Sequence, residues 1–177
     1  MKDSIDGEAD VLFIGFETKL TGQIDAVTPQ ENMGDVNKSL LPGTFLREVD
    51  SDMRLRYQDD SRKFSTHLRS RLAQFWFGAD RAIHYEVWIH ERTAQIEIGL
   101  HFESTESRNR ELYRRFDGEL LSIQAVLGES IWVEKWERGW SRIYETQPLW
   151  PLDSVRVITT SDRLAEMITT FQPILDG

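Results

Sequence analysis

The chain contains no cysteine. That excludes disulfides, thiolate metal ligands and a cysteine nucleophile. No apolar run approaches the ~18 residues that a membrane span needs. The opening residues Met1-Lys2-Asp3-Ser4-Ile5-Asp6 lack the layout of a secretory leader, so a cytoplasmic location is expected. There is no Gly-rich phosphate loop, no His-Glu-x-x-His, no Gly-x-Ser-x-Gly elbow and no dinucleotide fingerprint. The common enzyme classes lose ground accordingly, and no cofactor is expected. Positive charge is also short: 21 Lys and Arg stand against 30 Asp and Glu, a formal net charge of -9. A surface of that sign repels phosphate backbones and disfavours nucleic acid as a partner of the whole surface, although a local basic patch can still bind.

What remains is a globular composition, 40% hydrophobic and 29% charged over 177 residues, a length for one domain with a real core. Residues 1–60 form an irregular N-terminal segment, rich in glycine and acidic residues. Within it Val11-Leu12-Phe13-Ile14-Gly15-Phe16 reads as a strand and Phe45 to Tyr57 as a second. Thr21 to Leu41 reads as loop. From Lys63 the periodicity sharpens. Phe64, Leu68, Leu72 and Phe75/Trp76 recur at helical spacing, predicting a helix from Arg62 to Phe77 stopped by Gly78.

Two hairpins carry the strongest local signal. In Ile83 to His90 the odd positions are apolar, and in Gln95 to Phe102 the even ones are. Pairing Ile89 with Ile96, Val87 with Ile98, Tyr85 with Leu100 and Ile83 with Phe102 buries all eight on one face. A slip of one residue would expose a whole set, so the register is well specified. The connection is either a two-residue Arg92-Thr93 turn or a four-residue Glu91–Ala94 loop. The second hairpin spans Ile131 to Thr146 around Glu137-Arg138-Gly139, with glycine placed for a left-handed bulge. It sets Trp136 against Trp140, Glu134 against Arg142 and Trp132 against Tyr144.

Between the hairpins a helix is expected from a Ser104 or Thr105 cap to Leu127, stopped by Gly128. A last helix begins near Thr160 or Ser161 and ends at Pro173. The order from residue 63 is then α-β-β-α-β-β-α. This is an α+β fold, with an antiparallel sheet, three helices mainly on one face, and residues 61–177 as the regular core of a single domain.

Three constellations bear on function. The polar face of the first hairpin sets His84 opposite His101 beside Glu86, a residue set suited to zinc or iron. Histidine and glutamate also suit the solvent side of a half-buried sheet. The second hairpin gathers Trp132, Trp136, Trp140, Arg142 and Tyr144, residue types that anchor protein partners or stack on bases, or that simply serve as core. Arg108, Arg110, Arg114 and Arg115 line one helix and would contact phosphate only if they converge. A nuclease arrangement around Glu134-Lys135 fails on geometry, because adjacent strand residues point to opposite faces.

Ile96-Glu97-Ile98-Gly99-Leu100-His101-Phe102-Glu103, Asn109 to Phe116, Leu127-Gly128-Glu129 with Trp132, and Trp140-Ser141-Arg142-Ile143-Tyr144 carry a likeness. Over about residues 64–174 the chain resembles an uncharacterised bacterial and archaeal domain family, often found at the C-terminus of predicted restriction-associated proteins. The resemblance implies an accessory role and supplies no activity. The expected function is thus a noncatalytic module that binds another protein, or itself as a homodimer, through the aromatic hairpin face. The alternatives are a divalent-metal enzyme using His84, Glu86 and His101, and a nucleic-acid-binding accessory domain using the arginines.

Overall fold

A computed structural model describes residues 39–60 and 63–177. The expected strand at Val11–Phe16 and most of the expected loop before Leu41 lie outside them. The elements run α1 (Pro42–Arg56), β1 (Phe64–Leu68), β2 (Leu72–Phe77), β3 (Ile83–His90), β4 (Gln95–Phe102), α2 (Glu106–Gly118), α3 (Leu120–Leu127), β5 (Trp132–Lys135), β6 (Ser141–Pro148) and α4 (Ser154–Asp176). The fold class is α+β: one six-stranded antiparallel sheet in the order β1-β2-β3-β4-β6-β5, with four helices. Among the described residues no helix is long and apolar enough to cross a membrane.

Both hairpin registers are as the alternation requires. Ile83 pairs with Phe102, Tyr85 with Leu100, Val87 with Ile98 and Ile89 with Ile96. The connection is the four-residue one, with Ala94 at a positive φ. In the second hairpin Trp132 faces Tyr144 and Glu134 faces Arg142. Gly139 sits at φ 74 inside a single 3-10 turn, Glu137–Gly139, and the Trp136 amide donates to the Trp140 carbonyl at 2.7 Å.

Four expectations are corrected. Arg62 to Phe77 is not a helix; its described residues form the β1–β2 hairpin. A separation of four fits a strand as well as a helix, since it is an even number of residues. Phe64, Thr66 and Leu68 accordingly face Phe77, Phe75 and Ala73. Gly78 adopts φ 73, but it ends a strand. Phe45 to Tyr57 is helical rather than extended: Pro42 stands in the first turn and Phe45, Leu46, Val49 and Met53 are buried along one stripe, the spacing of an amphipathic helix. The helix after Thr105 breaks at Glu119 into α2 and α3. The last helix starts earlier than expected, where the Asp153 side chain accepts from the Arg156 amide, and it runs through Pro173 to Asp176. From residue 63 the order is therefore β-β-β-β-α-α-β-β-α.

One face of the sheet carries Ala73, Phe75, Tyr85, Val87, Ile89, Ile96, Ile98, Leu100, Phe102 and Ile143. These form a single apolar cluster with the buried side chains of the four helices, among them Phe45, Leu112, Phe116, Ile123, Leu164 and Phe171. Arg163 of α4 closes this layer with a 2.6 Å ion pair to buried Glu145 of β6. The opposite face has no helix packed on it among the described residues, and it holds the candidate functional groups.

Candidate functional site

Alternation along paired strands sends Gln74 (β2), His84, Glu86 and Trp88 (β3), Glu97, Gly99 and His101 (β4), and Arg142 and Tyr144 (β6) to this second face. β4 pairs with β6, which places His101 opposite Arg142 and Gly99 opposite Tyr144. The histidine–glutamate group of the first hairpin and the aromatic group of the second therefore share one surface. The expectation that the first group faces solvent is corrected: His84, Glu86 and Glu97 are almost wholly buried and His101 is 0% exposed. The second hairpin covers them. The Trp136 ring meets the His101 ring edge-on at 5.8 Å and lies 6.0 Å from Trp88, while the Arg142 guanidinium sits 4.8 Å from Trp136 and 4.1 Å from Tyr144.

Gly99 makes that approach feasible. A Cβ at this position would lie 2.5 Å from the Ile143 carbonyl oxygen and 2.5 Å from the Tyr144 Cβ, so any side chain would force β4 and β6 apart.

Two carboxylates are buried here, and they are compensated differently. Glu97 is bound by a permanent cation: Arg142 Nη1 donates to both of its oxygens at 2.9 and 2.8 Å, with His101 Nε2 at 3.0 Å and His90 Nε2 at 3.2 Å. Arg142 itself is held by Glu134 at 2.7 Å. Glu86 has no arginine or lysine. Its partners are His84 Nε2 at 2.9 Å, the Gln74 amide at 2.7 Å and His101 Nε2 at 3.6 Å. Burial pushes both carboxyls up; the His84 hydrogen bond and the His101 and His84 charges return Glu86 to below its ordinary range. His101 and then Arg142 do the same for Glu97. Burial raises the Tyr144 hydroxyl, against the opposing effect of Arg142.

The histidine tautomers sharpen the contrast. His84 Nδ1 lies 2.8 Å from the Arg81 carbonyl. A carbonyl only accepts, so Nδ1 carries a proton. In neutral His84 the Nε2 lone pair then faces both the Gln74 amide, 3.0 Å away and able to donate to it, and the Glu86 carboxylate, where a shared proton or a metal ion would bind. His101 Nδ1 is buried with no hydrogen-bond partner. Beside the pair, half-buried Glu103 has a carboxylate that none of the described groups engages. One ligand-capable atom each from His84, Glu86, His101 and Glu103 lie within 4.8 Å of one another. Opposed ligands of a bound ion stand about 4 Å apart, so small side-chain movements would close the set. A cleft of ≈ 500 Å³ opens onto His84, Glu86 and Glu103, bounded by Arg69, Leu72, Arg81, Trp88 and Trp136.

The structure thus unites His84, Glu86 and His101 and adds Glu103, Gln74 and Glu97. Glu103 was legible in principle: it follows His101 at the strand's two-residue period. Of the aromatic residues, Trp136 and Trp140 are half-buried and lie 6.0 Å apart, while Trp132 is 60% exposed. The four arginines do not converge. Arg108 pairs with Glu111, Arg110 with Glu106, and Arg115 with Glu111 and the Ile174 carbonyl. Arg114 has no acidic partner among the described residues. Glu134 and Lys135 point to opposite sides, towards Arg142 and the Tyr113 ring respectively. Comparisons with models of known protein families, with curated proteins and with solved structures find no match to this chain.

Proposed function

We propose that this chain binds a divalent transition-metal ion through His84, Glu86, His101 and Glu103, and that the ion acts as a Lewis acid on a ligand entering by the adjacent cleft. The observation that carries the reading is that Glu86 is buried against histidines and an amide, with no arginine or lysine beside it. A buried carboxylate facing imidazole nitrogens, with no fixed positive charge, is stabilised by whatever cation enters. Two imidazoles and two carboxylates suit zinc, iron(II) or manganese better than the all-oxygen preference of calcium. The Arg81 carbonyl on His84 Nδ1 is the outer-shell partner that orients a metal-binding histidine. Access from a cleft suits a catalytic ion better than a closed structural one.

Titration of metal-stripped protein with zinc and with manganese, followed by native mass spectrometry, tests this. One ion per chain is expected, with affinity reduced about tenfold or more in Glu103→Gln and abolished in His84→Gln/Glu86→Gln. Glu103 is only half-buried, so its variant folds irrespective of the outcome. Stoichiometric binding unchanged in both variants, or no binding of any divalent transition metal, would overturn the proposal.

The aromatic hairpin also supports a protein-partner reading, carried by Trp132, the ring of that set left mostly exposed. It predicts a concentration-dependent dimer or complex that Trp132→Ala weakens, measurable by analytical ultracentrifugation.

A further inference from the structure

A second cavity, of ≈ 610 Å³, lies between α2 and the tip of the β5–β6 hairpin and shares Trp136 with the cleft. Its volume is that of a small-molecule site. The rings of Trp136, Trp140 and Tyr113 and the cations Arg114 and Lys135 line it. The hairpin tip is fixed against α2, because the Asn109 amide donates to the Gly139 carbonyl at 2.9 Å and to the Ser104 carbonyl at 3.0 Å, while its oxygen accepts from the Ser104 amide. Gly139, at φ 74, has room for no side chain without pressing on Glu106.

Most described arginines of this acidic chain are consumed by carboxylates. At the cavity Arg110 is paired in this way with Glu106, but other cations are not: Lys135 Nζ rests 4.7 Å from the Tyr113 ring, and Arg138, at the hairpin tip, lies 5.4 Å from the Trp140 ring. Neither they nor Arg114 has an acidic partner among the described residues. Cations parked on aromatic faces are weakly held and can turn to an anion, and the faces they leave are free to stack.

We infer that this cavity binds a nucleotide unit, its base against the Trp136–Trp140 notch and its phosphate between Lys135 and Arg114. A free mononucleotide and a nucleotide within a single strand present the same chemistry.

Calorimetry with AMP, and anisotropy with a labelled oligo-dT, both at low salt and without metal, test it on the full chain. Binding of either is expected, weakened about tenfold by Lys135→Gln/Arg114→Gln through loss of charged hydrogen bonds. Trp140→Ala is expected to weaken it by a similar factor of about ten through lost stacking. Both polar substitutions are at exposed positions, so they leave the fold intact. Binding should persist in Glu103→Gln, which separates this site from the metal reading. AMP binding identifies a nucleotide pocket, whereas oligonucleotide binding alone identifies a strand-binding one. The inference is overturned if neither probe binds, if the double variant binds equally well, or if inorganic phosphate binds as tightly as AMP.

Discussion

Glu86 and Glu97 lie on the same face of the same two strands, equally buried, yet they pose different electrostatic problems. Glu97 has its answer built in, since Arg142 cannot lose its charge. Glu86 is left to two histidines and an amide, all of which can be neutral. The same neighbourhood thus contains one carboxylate held by an arginine and one held only by histidines and an amide.

The comparison breaks most visibly at Arg142. Arg142→Leu leaves Glu97 buried against histidines alone and is expected to cost about 3–5 kcal/mol, read from urea unfolding. A cost near that of a surface change would mean that Glu97 is not held by Arg142. Gly99→Ala tests the close approach of β4 and β6 that brings both carboxylates under Trp136. Overpacking against backbone predicts about 1–3 kcal/mol of destabilisation and a lowered melting temperature.

Acid unfolding supplies the next test, using the ion pair on the covered face as reference. Burial pushes the Glu145 carboxyl up, but hydrogen bonds from Arg163, Gln147 and Ser130 overcome it and leave it below its ordinary range. The unfolded state then binds the proton first. The contribution is complete above the ordinary carboxylate range and is lost as pH falls through the depressed folded value. Arg163→Met should flatten the fall in stability over that acid window and leave the slope near neutrality unchanged, as followed by unfolding at a series of pH values.

Glu86→Gln should cost only about 1 kcal/mol or less in metal-free protein, because glutamine is isosteric, keeps an oxygen to accept from the Gln74 amide and strands no arginine or lysine. A loss matching that of Arg142→Leu would erase the distinction between the two carboxylates. The smallest effect belongs to Trp132→Ala, within about 0.5 kcal/mol for an exposed side chain, measured on monomeric protein by thermal melting.

Much of this was legible locally. Strict alternation in Ile83–His90 and Gln95–Phe102 dictated which residues of the first hairpin face the core, and so put His84 across from His101. The glycine at the tip of Glu137-Arg138-Gly139 did the same for Trp132, Glu134 and their partners. Where spacing was ambiguous the reading failed. The pairs Phe64/Leu68 and Leu72/Trp76 fit both periods, and pairing of β1 with β2 and of β2 with β3 makes that stretch extended. Helix α1 shows the same failure in reverse, for its stripe of Phe45, Leu46, Val49 and Met53 is meaningful only once a core exists to receive it.

The two hairpins, their registers and the separation of apolar from polar faces follow from the order of residues alone, because side-chain alternation and turn conformation are properties of neighbouring residues. Packing of the whole chain was needed to join the two hairpins through β4 and β6, so that Arg142 reaches Glu97 across 45 positions of chain and Trp136 roofs His101. That contact turned an expected solvent face into a buried one. Burial makes the Glu86 carboxylate depend on His84, His101 and Gln74 in place of water, and burial depends on groups distant in sequence.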